Sequence, residues 1–134
     1  NNENKNTDCY CSDLSVETVS YISKYLKNEN FLGSRFMSQI YYSNYAGNSY
    51  PMPFYSNYNE AYERDLYLEE DELLSFIQNK KIKYIVFFEG KDKKDYFIEA
   101  KLYGDLIEDI YYGKSKYFKS EKDLNDGKIV ELNY

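Results

Sequence analysis

The chain has 134 residues, 43% of them hydrophobic, and carries a net charge of −6 with a pI near 4.8. That length supports one buried core and not two, and the acidic balance argues against nucleic acid as a partner, since phosphate binding needs concentrated Lys and Arg. Histidine is absent, which removes the usual general base and the commonest metal ligand.

Residues 1–12 open with "NNENKNTD", an Asn-rich and apolar-free run that reads as a flexible linker and not as a signal peptide. A linker at the start predicts a piece cut from a longer protein, with residues 13–134 forming a single α/β domain. Cys9 and Cys11 lie one residue apart. Two thiols without histidine are too few for a closed zinc site, and the spacing is not the redox Cys-x-x-Cys. A local disulfide, an upstream tether and free thiols all remain open. No run approaches the roughly eighteen apolar residues of a spanning helix, so the chain itself is expected to be soluble.

The first predicted helix is "DLSVETVSYISKYLKN", with Ser15 as N-cap and Leu14 and Val19 as a hydrophobic staple. Val16, Val19, Ile22 and Leu26 form its apolar face. Asn28 to Gly33 reads as a turn, and "SRFMSQIYY" as a strand with Phe36 and Ile40 flanking Met37. In the stretch that follows, Gly47, Asn48, Pro51 and Pro53 forbid long regular structure. A second helix covers "EEDELLSFIQNKK", with acids in its first turn, Leu73, Leu74 and Ile77 as its stripe, and lysines at its end. "IKYIVFF", residues 82–88, is the strongest strand, its continuous apolar run predicting cover on both faces. "EGKDKKD" is a loop. Phe97, Ile98, Leu102, Leu106 and Ile107 then mark a third helix, weakened by Gly104. "SKYFKSE" and "KIVELNY" are two late strands joined by a turn at Asn125-Asp126-Gly127. The order predicts a small α/β sandwich with a short mixed, mostly parallel sheet, flanking helices and a C-terminal hairpin.

No Gly-rich phosphate loop, Gly-x-Ser-x-Gly, histidine triad or calcium-loop spacing is present. No catalytic residue, metal ligand or cofactor is therefore assigned. Glu69, Glu70, Asp71 and Glu72 could be imagined as glycosidase acids, but such acids face each other across a substrate. Four consecutive acids at a helix start read instead as a solvated first turn. Residues 41–67 hold eight of the eighteen tyrosines and both prolines. Tyrosine faces suit the apolar side of a sugar ring, and amides suit its hydroxyls. Tyr42, Tyr45, Asn48, Tyr50, Phe54, Tyr55 and Tyr58 are thus the candidate ligand-binding residues, with Asn57 beside them. With eighteen Tyr and eight Phe set against eleven Leu, nine Ile and four Val, the same rings are also needed to cover the sheet. Packing is read as their first role and contact as their second.

The sequence also offers a family likeness. A helix ending "ISKYLKN" precedes a turn and "GSRFMSQIYYSNYAGNSYPMP"; "EEDELLSFIQNKKIKYIVFF" runs from acidic helix into apolar strand; and "YFKSEKDLNDGKIVELNY" ends the chain on strand, Gly turn and strand. This order, over about residues 16 to 134, resembles the soluble extracytoplasmic C-terminal region of polytopic membrane glycosyltransferases of the dolichyl-phosphate-mannose protein mannosyltransferase kind. The resemblance implies a non-catalytic domain on the extracytoplasmic side of the cell membrane. Its parent enzyme would use a lipid-phosphate sugar donor, its first partner would be the membrane-embedded part of the same polypeptide, and a glycan or protein acceptor would be a second. The family's catalytic carboxylate lies near the first membrane helices, a segment with no counterpart here, so no catalytic residue carries over. The alternative is a stand-alone cell-surface module that binds glycan or peptide through the Tyr-rich loop.

Overall fold

The computed structural model describes residues 15–33, 49–51, 54–55, 67–89 and 105–134. In chain order these form α1 (Val16–Tyr25), β1 (Phe31–Gly33), β2 (Ser49–Pro51), β3 (Phe54–Tyr55), β4 (Tyr67–Leu68), α2 (Glu70–Asn79), β5 (Tyr84–Phe88), α3 (Asp105–Tyr111), β6 (Phe118–Leu124) and β7 (Gly127–Leu132). Five strands make one sheet in the order β2-β1-β5-β7-β6, and β3 and β4 pair separately.

The architecture is α/β, as the alternation of elements predicts. The sheet is mixed, but the expectation of a mostly parallel one needs correction. β2, β1 and β5 run parallel over three-residue registers, whereas the longer ladders, β5 with β7 and β7 with β6, are antiparallel. The antiparallel half is longer because a two-residue turn starts β6 and β7 in register, from Leu124 opposite Gly127 to Ser120 opposite Glu131, with a shift only between Ser120 and Phe118. A parallel pair gets no such local help.

β5 is the spine. Ile85, Val86, Phe87 and Phe88 are each fully buried, and alternation sends them to opposite faces. Ile85 and Phe87 join Leu32, Val130 and Leu132 under Leu73 and Ile77 of α2 and Leu106, Ile107 and Ile110 of α3. Val86 and Phe88 join Phe31, Ile129 and Leu124 under Val19 and Ile22 of α1 and Leu26 at its C-cap. The result is three layers, with α2 and α3 on one face and α1 on the other.

Two local expectations fail. Phe31–Gly33, read as part of a turn, is β1, a buried strand between β2 and β5. Three residues are too few to show alternation, and the flanking Asn30 and Gly33 look like turn chemistry. Ser15 occupies the cap position of α1, but its side chain makes no capping bond. That role belongs to Asp126, across the molecule, which accepts the backbone N–H of Glu17 at 2.8 Å and of Thr18 at 3.0 Å. The staple partner Leu14, the strand predicted over residues 34–42, the first half of the third predicted helix, Cys9 and Cys11 lie outside the described residues.

At α2, Glu69 to Glu72 are exposed and start the helix, as read from the sequence. The Glu72 carboxylate accepts the Glu69 backbone N–H at 2.9 Å, half of a capping box. The helix ends at Lys80 and Lys81, the latter in the left-handed region at φ 55°.

Candidate functional site

Because β1, β2 and β5 are parallel, they end at one edge of the sheet. Gly33 pairs with Pro51 on one side and with Val86 on the other. β2 lies to one side of β1 and β5 to the other, so the strand order changes direction beside β1. Open α/β sheets place their ligands outside the carboxyl ends of the strands at such a point.

The sequence brings a charge to this edge. Glu89 follows the apolar run of β5 and is only 1% exposed. Alternation after Phe87 turns it toward α3, where the Tyr111 hydroxyl donates a hydrogen bond to its Oε2. The Glu89 backbone N–H donates to the Asp126 carbonyl at 2.9 Å, tying the end of β5 to the β6–β7 turn.

Tyr111 ends α3 and is held on three sides. Phe87 meets its ring edge-on at 4.9 Å. The Lys128 ammonium lies 4.1 Å from the ring centroid and donates to the Tyr111 carbonyl at 3.0 Å, capping the helix with positive charge. Lys128 also pairs with Glu121 at 3.3 Å. Burial first, then the hydrogen bond to Glu89 and that residue's charge, push the Tyr111 phenol well above its ordinary value of 10.0. It keeps its proton, which it donates in the hydrogen bond to Glu89. Chemically, the group orients one carboxylate at the exit of β5 and shields it from solvent. Among the described residues no group of three His, Cys, Asp or Glu side chains is placed to hold a metal ion.

The tyrosine segment is only partly in view. Tyr42, Tyr45, Asn48, Asn57 and Tyr58 lie outside the described residues. Phe54 and Tyr55 form β3, whose backbone pairs in parallel with Tyr67 and Leu68. Tyr50, in the middle of β2, is half-buried and packs on the α2 face. Phe76 meets it edge-on at 5.8 Å, and the Lys80 ammonium lies 5.9 Å from its ring. For Tyr50 the packing role is thus realised.

Sequence reasoning missed Glu89, Tyr111 and Lys128 as a group. It placed Glu89 at the start of a loop and Tyr111 at the end of a helix. The usable signal was an acid set directly against a continuous apolar strand, where burial is the default. Comparison with protein-family models, with curated proteins and with solved structures finds no match.

Proposed function

We propose that the chain is a non-catalytic, extracytoplasmic domain of a membrane-bound glycosyltransferase-like protein using a lipid-phosphate sugar donor, in which the segment from Tyr41 to Tyr67 contributes to acceptor recognition. The glycosyltransferase part rests on the order of landmarks from "ISKYLKN" to "KIVELNY". The recognition part is supported by one observation. The parallel strands β1 and β2 end level at Gly33 and Pro51, and β5 passes the same level at Val86, so the part of the aromatic segment that follows Pro51 leaves β2 at the edge where α/β folds hold ligands. Glu89, Tyr111 and Lys128 stiffen that edge. No helix among the described residues is long and apolar enough to cross a membrane, so attachment to a bilayer would come from another part of the polypeptide.

The test is fractionation of the native cells with an antibody raised against this chain. A membrane-bound product much larger than 16.1 kDa is expected. A native product of 16.1 kDa in the soluble fraction would overturn the membrane part. It would leave the alternative of a stand-alone binding module, which the same placement of the aromatic segment favours.

A further inference from the structure

On the face opposite α2 and α3, α1 is the one helix packed among the described residues. It covers β5 and part of β7, and beside it a groove runs toward β6. Tyr21, Tyr25, Tyr84, Ser120, Lys122 and Glu131 line about 310 Å³ of it. The groove continues past Tyr21, Tyr25 and Lys122 into an open 890 Å³ stretch that ends at Glu17 and Asn125, beside the β6–β7 turn.

Three features of this groove are unlike ordinary surface. Tyr21 and Tyr25 stand one turn apart with ring centroids at 4.7 Å and planes inclined by 45°, and Tyr25 is 60% exposed. Tyr21 leans partly on the core under α1, and Tyr25 stands exposed beside it at a concave site. Next, Tyr84 reaches the groove floor from β5. Its half-buried phenol, pushed upward by burial and then by the charges of Glu131, Glu29 and Tyr21, carries its proton at neutral pH as any tyrosine does. Finally, the polar rim carries both signs. Lys24 lies 5.9 Å from the Tyr25 ring, and Glu131 takes Lys119 and Ser120 at 3.3 Å each.

The ligand chemistry follows. Glu121 and Asp123 turn toward the Tyr111 face, which leaves Glu17, Asp126 and Glu131 on the groove side against Lys24 and Lys122, so no positive excess is there to hold a polyanion. A wholly apolar ligand would strand the rim's hydrogen-bonding groups. A pyranose has an apolar C–H face and a rim of hydroxyls that donate and accept, which matches flat phenols flanked by carboxylate, ammonium and hydroxyl. We propose that the groove between α1 and the β6–β7 hairpin binds a neutral saccharide, with ring faces on Tyr21 and Tyr25 and hydroxyls bonded to Tyr84, Lys122 and Glu131. This site is separate from the carboxyl edge and does not depend on the function proposed for that edge.

The experiment is a nitrogen-15 NMR titration of the 134-residue chain with neutral oligomers of mannose, glucose, galactose and N-acetylglucosamine, repeated with Tyr25→Ala, Lys122→Ala and Tyr55→Ala. Tyr25 and Lys122 are exposed, so their removal leaves the fold intact. At least one oligomer is expected to give saturable shifts confined to α1, β6 and β7. Tyr25→Ala should weaken that binding about tenfold, the scale of one lost aromatic contact, and Tyr55→Ala should leave it unchanged. No saturable shift from any oligomer up to about 10 mM, well above the millimolar range of weak specific binding, overturns the proposal. So does tighter binding of a sulfated oligomer than of its neutral parent. Shifts at the carboxyl edge that only Tyr55→Ala abolishes would also sink the groove while supporting the edge as the recognition surface.

Discussion

Tyr111 combines three demands in one side chain: a ring that fills the layer under α3, a hydroxyl for a buried acid, and a face for a lysine. Neither Phe nor Gln supplies all three. Replacing Tyr111 with Phe keeps the ring contacts with Phe87 and Lys128 but takes the donor from Glu89. A buried acceptor deprived of a partner costs about 1–3 kcal/mol, and Tyr111→Phe is expected to lower stability by that amount in urea denaturation at neutral pH. A loss under about 0.5 kcal/mol, the level of an ordinary surface change, would show that the bond contributes nothing. Lys128 illustrates the same economy. Its ammonium lies over an aromatic ring and at the same time serves a helix end and Glu121.

Among the elements, the junction of α1 with the β6–β7 turn is the most exacting. A Cβ on Gly127 would collide with the Thr18 hydroxyl and come within 2.8 Å of the Phe87 carbonyl. Backbone cannot yield as a flexible side chain can. Gly127→Ala is therefore expected to destabilise by about 2–4 kcal/mol, in the range of overpacking a fixed interior. Asp126→Ala, which removes a cap without adding bulk, should cost about 1–2 kcal/mol. Thermal or urea unfolding of the two variants checks the order, and a Gly127→Ala protein as stable as the parent would refute the close approach. This junction was hidden in the sequence. The turn at Asn125-Asp126-Gly127 was legible because its residue types are local signals. That its aspartate would cap a helix 109 residues away was not, since no local pattern encodes it. β5 was legible for the opposite reason. Ile85 to Phe88 are apolar without interruption, and only a strand covered on both faces needs that. β1 was missed because its burial comes from its neighbours and not from its own three residues. As for the candidate site, the notable Tyr content of residues 41–67 pointed to a segment, whereas Glu89 and Tyr111 meet only because β5 and α3 pack.

At the scale of the whole molecule, the tyrosine-rich composition gives the fold a pH signature. Tyr84, Tyr111 and Tyr134 all have phenols raised above 10.0, in each case chiefly by burial. Since the unfolded chain releases those protons first, their contribution is whole below about pH 10 and is lost as pH climbs past it. Stability should be flat from about pH 8 to 9.5 and fall above about pH 10, less steeply in Tyr111→Phe. Denaturation midpoints over that range measure it, and identical slopes for the two proteins would remove Tyr111 from the account. The C-terminus takes part in the same way. Tyr134 donates to the Ile82 carbonyl at 2.6 Å beneath the Lys83 ammonium, 3.9 Å from its ring, so the last residue fastens the start of β5.

The clasp of Asp126 and Thr18 also has a bearing on the order of synthesis. α1 is made early, yet the carboxylate that receives its free amides is translated 109 residues after Glu17. Until the β6–β7 hairpin is made, the helix lacks the Asp126 carboxylate, and β5 lacks the strand that pairs with it from Tyr84 to Phe88. Both core layers include residues of β7, Ile129 on one face and Val130 and Leu132 on the other, so each is finished only when that strand is in place.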